Sequence, residues 1–207
     1  MRLIVISPEA EDARELAVLA ELFVAGLEHY HLRKPTWSRE QLAAWLHALP
    51  EALHTRIVLH THHDLAAEFA VGGLHHRDHP PLPKCHLIGD TLRSSVRLRS
   101  RAVHTLSTLR DALGDYDRLL VSPVFPSLSK PGHGPSAEFV FADLKALLSL
   151  PRRAEVVALG GIDADRIPSC RDYGFDAVAV LGALWQSSDP VRAFHQLNHA
   201  CRYAHAA

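Results

Sequence analysis

Residues 155–182 read EVVALGGIDADRIPSCRDYGFDAVAVLG, and the fold is decided here. Two short valine-rich runs, Glu155 to Leu159 and Ala177 to Leu181, are each followed by glycine. Apolar runs this short and this continuous suit strands buried on both faces, as in a parallel sheet. Between them Ala164 to Tyr173 reads as a helix, the crossover that parallel neighbours require. The stretch is therefore a strand–helix–strand unit, and its two strands end on Gly160-Gly161 and on Gly182.

The same unit recurs in both directions. Arg2 to Ser7 (RLIVIS) reads as a first strand, followed by a helix over Ala10 to Ala25 with Leu16, Leu19, Leu22 and Phe23 on one face. Glu28 to Arg33 is a second strand, and Ser38 with Gln41 three residues on is the capping box of a helix whose stripe is Leu42, Trp45, Leu46 and Leu49. Arg56 to His60, Gly73 to His75, Ser100 to His104 and Arg118 to Ser122 read as strands three to six. The expected helices among them are Asp64 to Val71, Thr105 to Leu113 and Ala137 to Leu150, and Val191 to Ala207 closes the chain. His76 to Arg97, with Pro80, Pro81 and Pro83, has the weakest pattern and reads as a loop. Eight strand–helix pairs predict an α/β architecture, a single (β/α)8 TIM barrel over residues 1–207. An open doubly wound sheet would want a glycine fingerprint after an early strand, and none is present.

Composition narrows the function classes. Lys+Arg 22 against Asp+Glu 23 gives a formal net charge of -1, too little for a general field that holds nucleic acid or an anionic membrane, so any anion site is local. The odd, widely spaced Cys85, Cys170 and Cys201 form no metal or redox pair. No leader and no membrane span is read, and the expectation is a cytoplasmic protein acting on small molecules, with a homo-oligomer possible. The 16 histidines include the clusters His62-His63 and His75-His76.

In a TIM barrel the chemistry lies just beyond the C-terminal strand ends. Gly160, Gly161, Leu181 and Gly182 stand there, with backbone N–H groups that no side chain blocks, which suits a phosphate. Ser127, Ser129 and Lys130 after the sixth strand add two hydroxyls and an ammonium able to converge on the same anion. His31, Arg33, Lys34, His60, His75 and His104, around the ends of strands two to five, are the candidate catalytic side chains. His60, His62, His75, Asp78 and His79 leave a zinc or iron site geometrically open, but no HExxH frame fixes it and no metal ligand is assigned. The alternating Arg93, Arg97, Arg99 and Arg101 read as solvated surface.

At this point a family resemblance becomes specific. Residues 115–130, DYDRLLVSPVFPSLSK, resemble the DY…GPVFPTxTK run of thiamine phosphate synthases. Residues 156–162, VVALGGI, are similar to that family's PVVAIGGI, and residues 174–180, GFDAVAV, to its GADGVAV. Upstream, His31-Leu32-Arg33-Lys34 resembles QLRE of QLREK and Gly73-Leu74-His75 the GVH of GVHLGQ. The resemblance covers nearly the whole chain and is densest from Asp115 onward. It implies a transferase of thiamine biosynthesis that joins a pyrimidine pyrophosphate to a thiazole phosphate and releases pyrophosphate. It also implies a magnesium ion, Mg(2+), with Arg33 at the family's arginine and Ser127, Ser129 and Lys130 at TxTK.

The chain departs from the pattern where the metal should be. The family's Asn-Asp after the third strand falls on His60-Thr61, and its second aspartate on Pro80. Both magnesium carboxylates are absent, and histidines are poor substitutes for a hard ion, so the chain could work without a cofactor. The lysine of QLREK falls on Pro35, where a shifted loop would let adjacent Lys34 substitute, and the serine of the fifth-strand SxH run falls on Ala102, with His104 kept. Two alternatives to the synthase follow. One is the related TenI type, a thiazole tautomerase that works by proton transfer, although its histidine falls on Pro123. The other is a non-catalytic regulator that keeps only the phosphate cup.

Overall fold

The computed structural model describes residues 1–78, 96–126 and 141–203. Its eight strands are β1 (Arg2–Ile6), β2 (Tyr30–Leu32), β3 (Ile57–Leu59), β4 (Gly73–His76), β5 (Leu98–Val103), β6 (Arg118–Val121), β7 (Glu155–Leu159) and β8 (Ala177–Val180). They close into a barrel in chain order, every pairing parallel. Closure is made by β1, which pairs with β2 through Val5↔Tyr30 and with β8 through Val5↔Val180. The (β/α)8 barrel expected from the repeating unit is the observed fold.

Strand alternation divides the side chains into two cores. Leu3 and Val5 join the large core between sheet and helices, whereas Ile4 and Ile6 turn inward to meet Leu120, Val157, Ala177 and Ala179. The interior is thus apolar on the side of β1 and β6 to β8. On the other side the same alternation turns His31, His75 and Ser100 inward, while their neighbours Tyr30, Leu32 and Leu74 pack outward. The pairings His31↔Val58, Val58↔Gly73 and His75↔Ser100 carry this polar sector around the barrel. Arg118 is buried in it, its Nε held 2.6 Å from Glu155.

Around the sheet lie α1 (Glu15–Val24), α2 (Arg39–Ala48), α3 (Leu106–Ala112), α4 (Phe141–Leu148), α5 (Ile167–Asp172), α6 (Gly182–Trp185) and α7 (Pro190–Tyr203). The Ser38 capping box forms as read: Ser38 Oγ accepts from the Gln41 amide while the Gln41 side chain accepts from the Ser38 amide. Thr105 makes the same box with Thr108 at the start of α3.

Several bounds differ from the reading for local reasons. The first helix starts at Glu15 rather than Ala10, because the Asp12 carboxylate takes the Arg14 amide and side chain in a turn. Residues 64–71 do not make an α-helix; a short 3-10 turn, His63–Ala67, follows His62 in the left-handed region at φ 50°. Helix α5 starts at Ile167, after Asp163 accepts from the Arg166 amide, and Pro168 sits in its first turn. Nor is the arginine row simply solvated: Arg101 is largely buried, paired with Asp78 at 2.9 Å and lying over the Tyr116 ring. Arg99 lies against the same ring, and Arg93 falls outside the described residues. Among the described residues no helix is long and apolar enough to cross a membrane.

Candidate active site

A cavity of about 970 Å³ opens at the C-terminal ends of the strands. One wall is backbone: Gly160 and Gly161 after β7, then Leu181 and Gly182 at the start of α6. The opposite wall is polar, with Arg33, His60, His75 and His104 at the ends of β2 to β5. Apolar side chains from the barrel interior, Ile6, Leu120, Leu159 and Ala179, close the space between the walls.

The glycine wall has two distinct parts. Gly161 has φ 64°, and a Cβ there would lie 2.3 Å from the Pro126 carbonyl oxygen, while one on Gly160 would lie 2.8 Å from Pro123. This pair is therefore required by the packing of the β6 loop, whatever ligand arrives. Gly182 is different. A Cβ there meets nothing nearer than Gln186 at 3.6 Å, so the fold itself would accept a side chain. Its missing side chain leaves the Gly182 backbone uncovered on the cavity wall, and Trp185 in the same turn is anchored by donating its ring N–H to Ile6 O at 2.8 Å. Helix α6 was not foreseen; one turn is too short to show a helical period.

Not every candidate residue reaches the cavity. Lys34 does not: it is fully buried, donates to Glu15 Oε2 at 2.6 Å and to Ala10 O at 3.0 Å, and lies over the Trp37 ring. The expectation that it replaces the missing lysine of the motif is thereby corrected, because its ammonium is spent on a buried pair that ties α1 to the end of β2. Glu15 also accepts from Tyr30 Oη at 2.7 Å, so both carboxylate oxygens are used. His31 lies behind the cavity wall rather than in it, fully buried in the barrel interior. Arg33 does line the cavity, with Nη1 2.5 Å from Glu9. Ser127, Ser129 and Lys130 fall outside the described residues.

Histidine placement depends on local geometry that the sequence does not display. His62 turns away and bonds to Trp37 O, Asp78 is taken by Arg101, and His79 lies outside the described residues. The three rings that meet are instead His31, His60 and His75: His31 Nδ1 is 2.9 Å from His60 Nε2, and the His60 and His75 rings stack at 4.0 Å. Burial holds all three well below the ordinary imidazole range, His75 to about 3, with neighbouring histidines, Arg33 and Arg118 adding to the effect. They are neutral near pH 7. Ser100, which the sequence reading passed over, bonds to His75 Nδ1 at 2.9 Å. The only available signal was its inward parity on β5. His104 Nδ1 donates to Ser122 O at 2.6 Å, which leaves Nε2 as an acceptor.

Magnesium does not fit these donors. At the position the resemblance implies stand His60 and Thr61, whose hydroxyl is buried without a hydrogen-bond partner and carries no charge. Of the carboxylates that line the same cavity, Glu9, Asp12 and Asp78 are paired with Arg33, Arg14 and Arg101, which leaves the exposed Glu11 as a single oxygen donor group. A hard cation wants several free oxygen ligands, and the described residues do not gather them here.

The model of the thiamine monophosphate synthase family matches residues 3–184. The thiamine-phosphate synthase of Methylobacillus flagellatus is 28% identical over 93% of this chain and 92% of its own. That of Mycolicibacterium vanbaalenii is 32% identical over 64% of this chain and 57% of its own. Among solved structures, the thiamine phosphate pyrophosphorylase from Bacteroides thetaiotaomicron superposes with a TM-score of 0.79 at 26% identity, covering all of both chains.

Proposed function

We propose that this chain, which belongs to the thiamine monophosphate synthase family, binds a thiazole phosphate against Gly160, Gly161 and Gly182 and couples it to a pyrimidine pyrophosphate. The observation that carries the reading is the two-sided cavity, with open backbone on one wall and Arg33 with His60, His75 and His104 on the other. Backbone N–H groups suit a phosphate because they donate without changing charge state. In the coupling, the bond from the pyrimidine methylene to the pyrophosphate oxygen breaks, the electron pair leaves with the oxygen, and the thiazole ring captures the methylene. Negative charge then builds on the departing pyrophosphate, and Arg33 stands on the wall where it would be met. The apolar interior formed by Ile6, Leu120 and Leu159 keeps water from capturing the methylene first.

One observation favours a second reading. His60 and His75 present imidazole rings on the cavity wall, and proton transfer on a thiazole phosphate carboxylate would use a ring nitrogen there. Incubation with both thiamine precursors, with and without magnesium, separates these readings. Formation of thiamine phosphate supports the coupling. Aromatisation of the thiazole phosphate carboxylate without coupling supports the tautomerase instead, and tight binding of thiazole phosphate with neither reaction supports a regulator.

A further inference from the structure

On the interior wall of the barrel, where β2, β3 and β4 lie side by side, three imidazoles converge. One nitrogen from each of His31, His60 and His75 lies within 4.8 Å of the others. Among the described residues this is the only group of three or more histidine, cysteine or carboxylate side chains so gathered. The rings approach one another edge-on or stacked, with centroids 5.2 Å (His31–His60), 5.7 Å (His31–His75) and 4.0 Å (His60–His75) apart. His31 and His75 are buried, while His60 and His75 reach the cavity.

We propose that His31, His60 and His75 form a three-histidine site for a zinc-class divalent transition ion, with a fourth coordination position opening into the cavity. Three imidazole nitrogens and one open position make the donor set of a reactive zinc site rather than of a closed structural one. With metal–nitrogen bonds of about 2.0–2.1 Å, tetrahedral ligand nitrogens lie about 3.3 Å apart. The 2.9 Å between His31 Nδ1 and His60 Nε2 is close to that, and the wider separations, up to 4.8 Å, require the stacked His60 and His75 rings to rotate as the ion binds. Nitrogen donors also select the ion, since imidazole suits zinc, cobalt, nickel and iron where magnesium wants oxygen.

The surroundings leave the necessary lone pairs available. Ser100 Oγ lies 2.9 Å from His75 Nδ1 and 3.4 Å from Leu74 O. The hydroxyl proton goes to the carbonyl, His75 Nδ1–H donates to Ser100, and Nε2 is left for the metal, an orienting contact of the kind that metal-bound histidines usually have. Arg118 Nη1 stands 3.4 Å from His31 Nε2, and metal on Nδ1 moves the ring proton toward it. That costs one long hydrogen bond and leaves two donors facing each other at 3.4 Å, while the guanidinium stays held by Glu155 at 2.6 Å. The ion's fourth position, facing the cavity, takes water or an anionic oxygen of the ligand.

This proposal does not rest on the coupling reaction and is tested without it. Untagged protein stripped of metal is titrated with zinc alone by calorimetry and with cobalt alone by visible absorption. The expected result is one equivalent bound, with the absorption of four-coordinate cobalt that zinc displaces. Binding should weaken at least about tenfold in His60→Ala and in His75→Ala. The rival pair, His195 and His199, stands exposed one turn apart on α7, and His195→Ala/His199→Ala should leave the stoichiometric site intact. Should an alanine variant fail to fold, His60→Asn keeps a polar side chain at the wall and is read in its place. Folded wild type that binds no stoichiometric zinc, or binding that survives in the His60 variants and disappears in the helix variant, overturns the site.

Discussion

Replacing Lys34 separates a structural role from a catalytic one. Its ammonium is fully buried, 2.6 Å from a Glu15 carboxylate that is itself only 2% exposed. Lys34→Ala removes one member of a buried ion pair and strands the other, which costs about 3 to 5 kcal/mol. With a urea dependence of about 2 kcal/mol per molar, the unfolding midpoint falls by about 2 M. Lys34→Met/Glu15→Gln removes both charges, fills the space and keeps an acceptor for Tyr30, so it should recover more than half of that loss. The assay is urea unfolding by circular dichroism, run beside thiazole phosphate affinity and turnover in the double variant. Those two should stay within about twofold of wild type, since the Lys34 side chain does not line the cavity. An unchanged midpoint with a large loss of turnover would return Lys34 to the chemistry.

Further outcomes follow from the cavity and its surroundings. Gly182→Leu should abolish thiazole phosphate binding with little change in stability, because its Cβ has room, whereas Gly161→Ala should destabilise the protein, its Cβ falling 2.3 Å from Pro126 O; urea unfolding and calorimetry of both variants check this. In metal-free protein, acid should destabilise early: His75 and His76 are held down to about 3 and about 4 against an ordinary 6.5, so below pH 6.5 the unfolded chain binds protons that the folded chain refuses. Stability should then fall by up to about 1.4 kcal/mol per pH unit for each of these histidines between pH 6.5 and 4, and a flat unfolding midpoint across that window would contradict it. Magnesium alone should give no micromolar calorimetric binding, as the paired carboxylates around Thr61 cannot serve it. Lys130→Ala should weaken thiazole phosphate binding by about 1.5 to 3 kcal/mol, the worth of a hydrogen bond to a charged group, measured by the same titration.

The barrel was legible because alternation and repeat length are local properties. Glu155 to Leu159 has the same bounds in the sequence and in the structure, and Ile4 and Ile6 differ from Leu3 and Val5 by parity alone. The ends of β7 and β8 pointed to Gly160, Gly161 and Gly182 for the same reason. Positions that depend on side-chain direction beyond a strand end were not legible. Lys34 follows β2 and turns in beneath α1 to meet Glu15, nineteen residues earlier. His62 leaves the strand path at a left-handed backbone, so the pair expected with His60 does not form. His60 and His75, by contrast, follow from strand order, since they end neighbouring strands three and four and share the cavity wall with Arg33; His31, turned inward on β2, completes the cluster.

In the proposed complex a phosphorylated thiazole sits with its phosphate on the glycine wall, opposite the histidines. A crystal structure of the protein soaked with thiazole phosphate tests this most directly. Phosphate oxygens should lie within about 3 Å of backbone amides in the Gly160–Gly161 and Gly182 turns, with the ring directed toward His60 and His75. A phosphate bound instead among Arg33, His60 and His104, with the glycine wall empty, would contradict it.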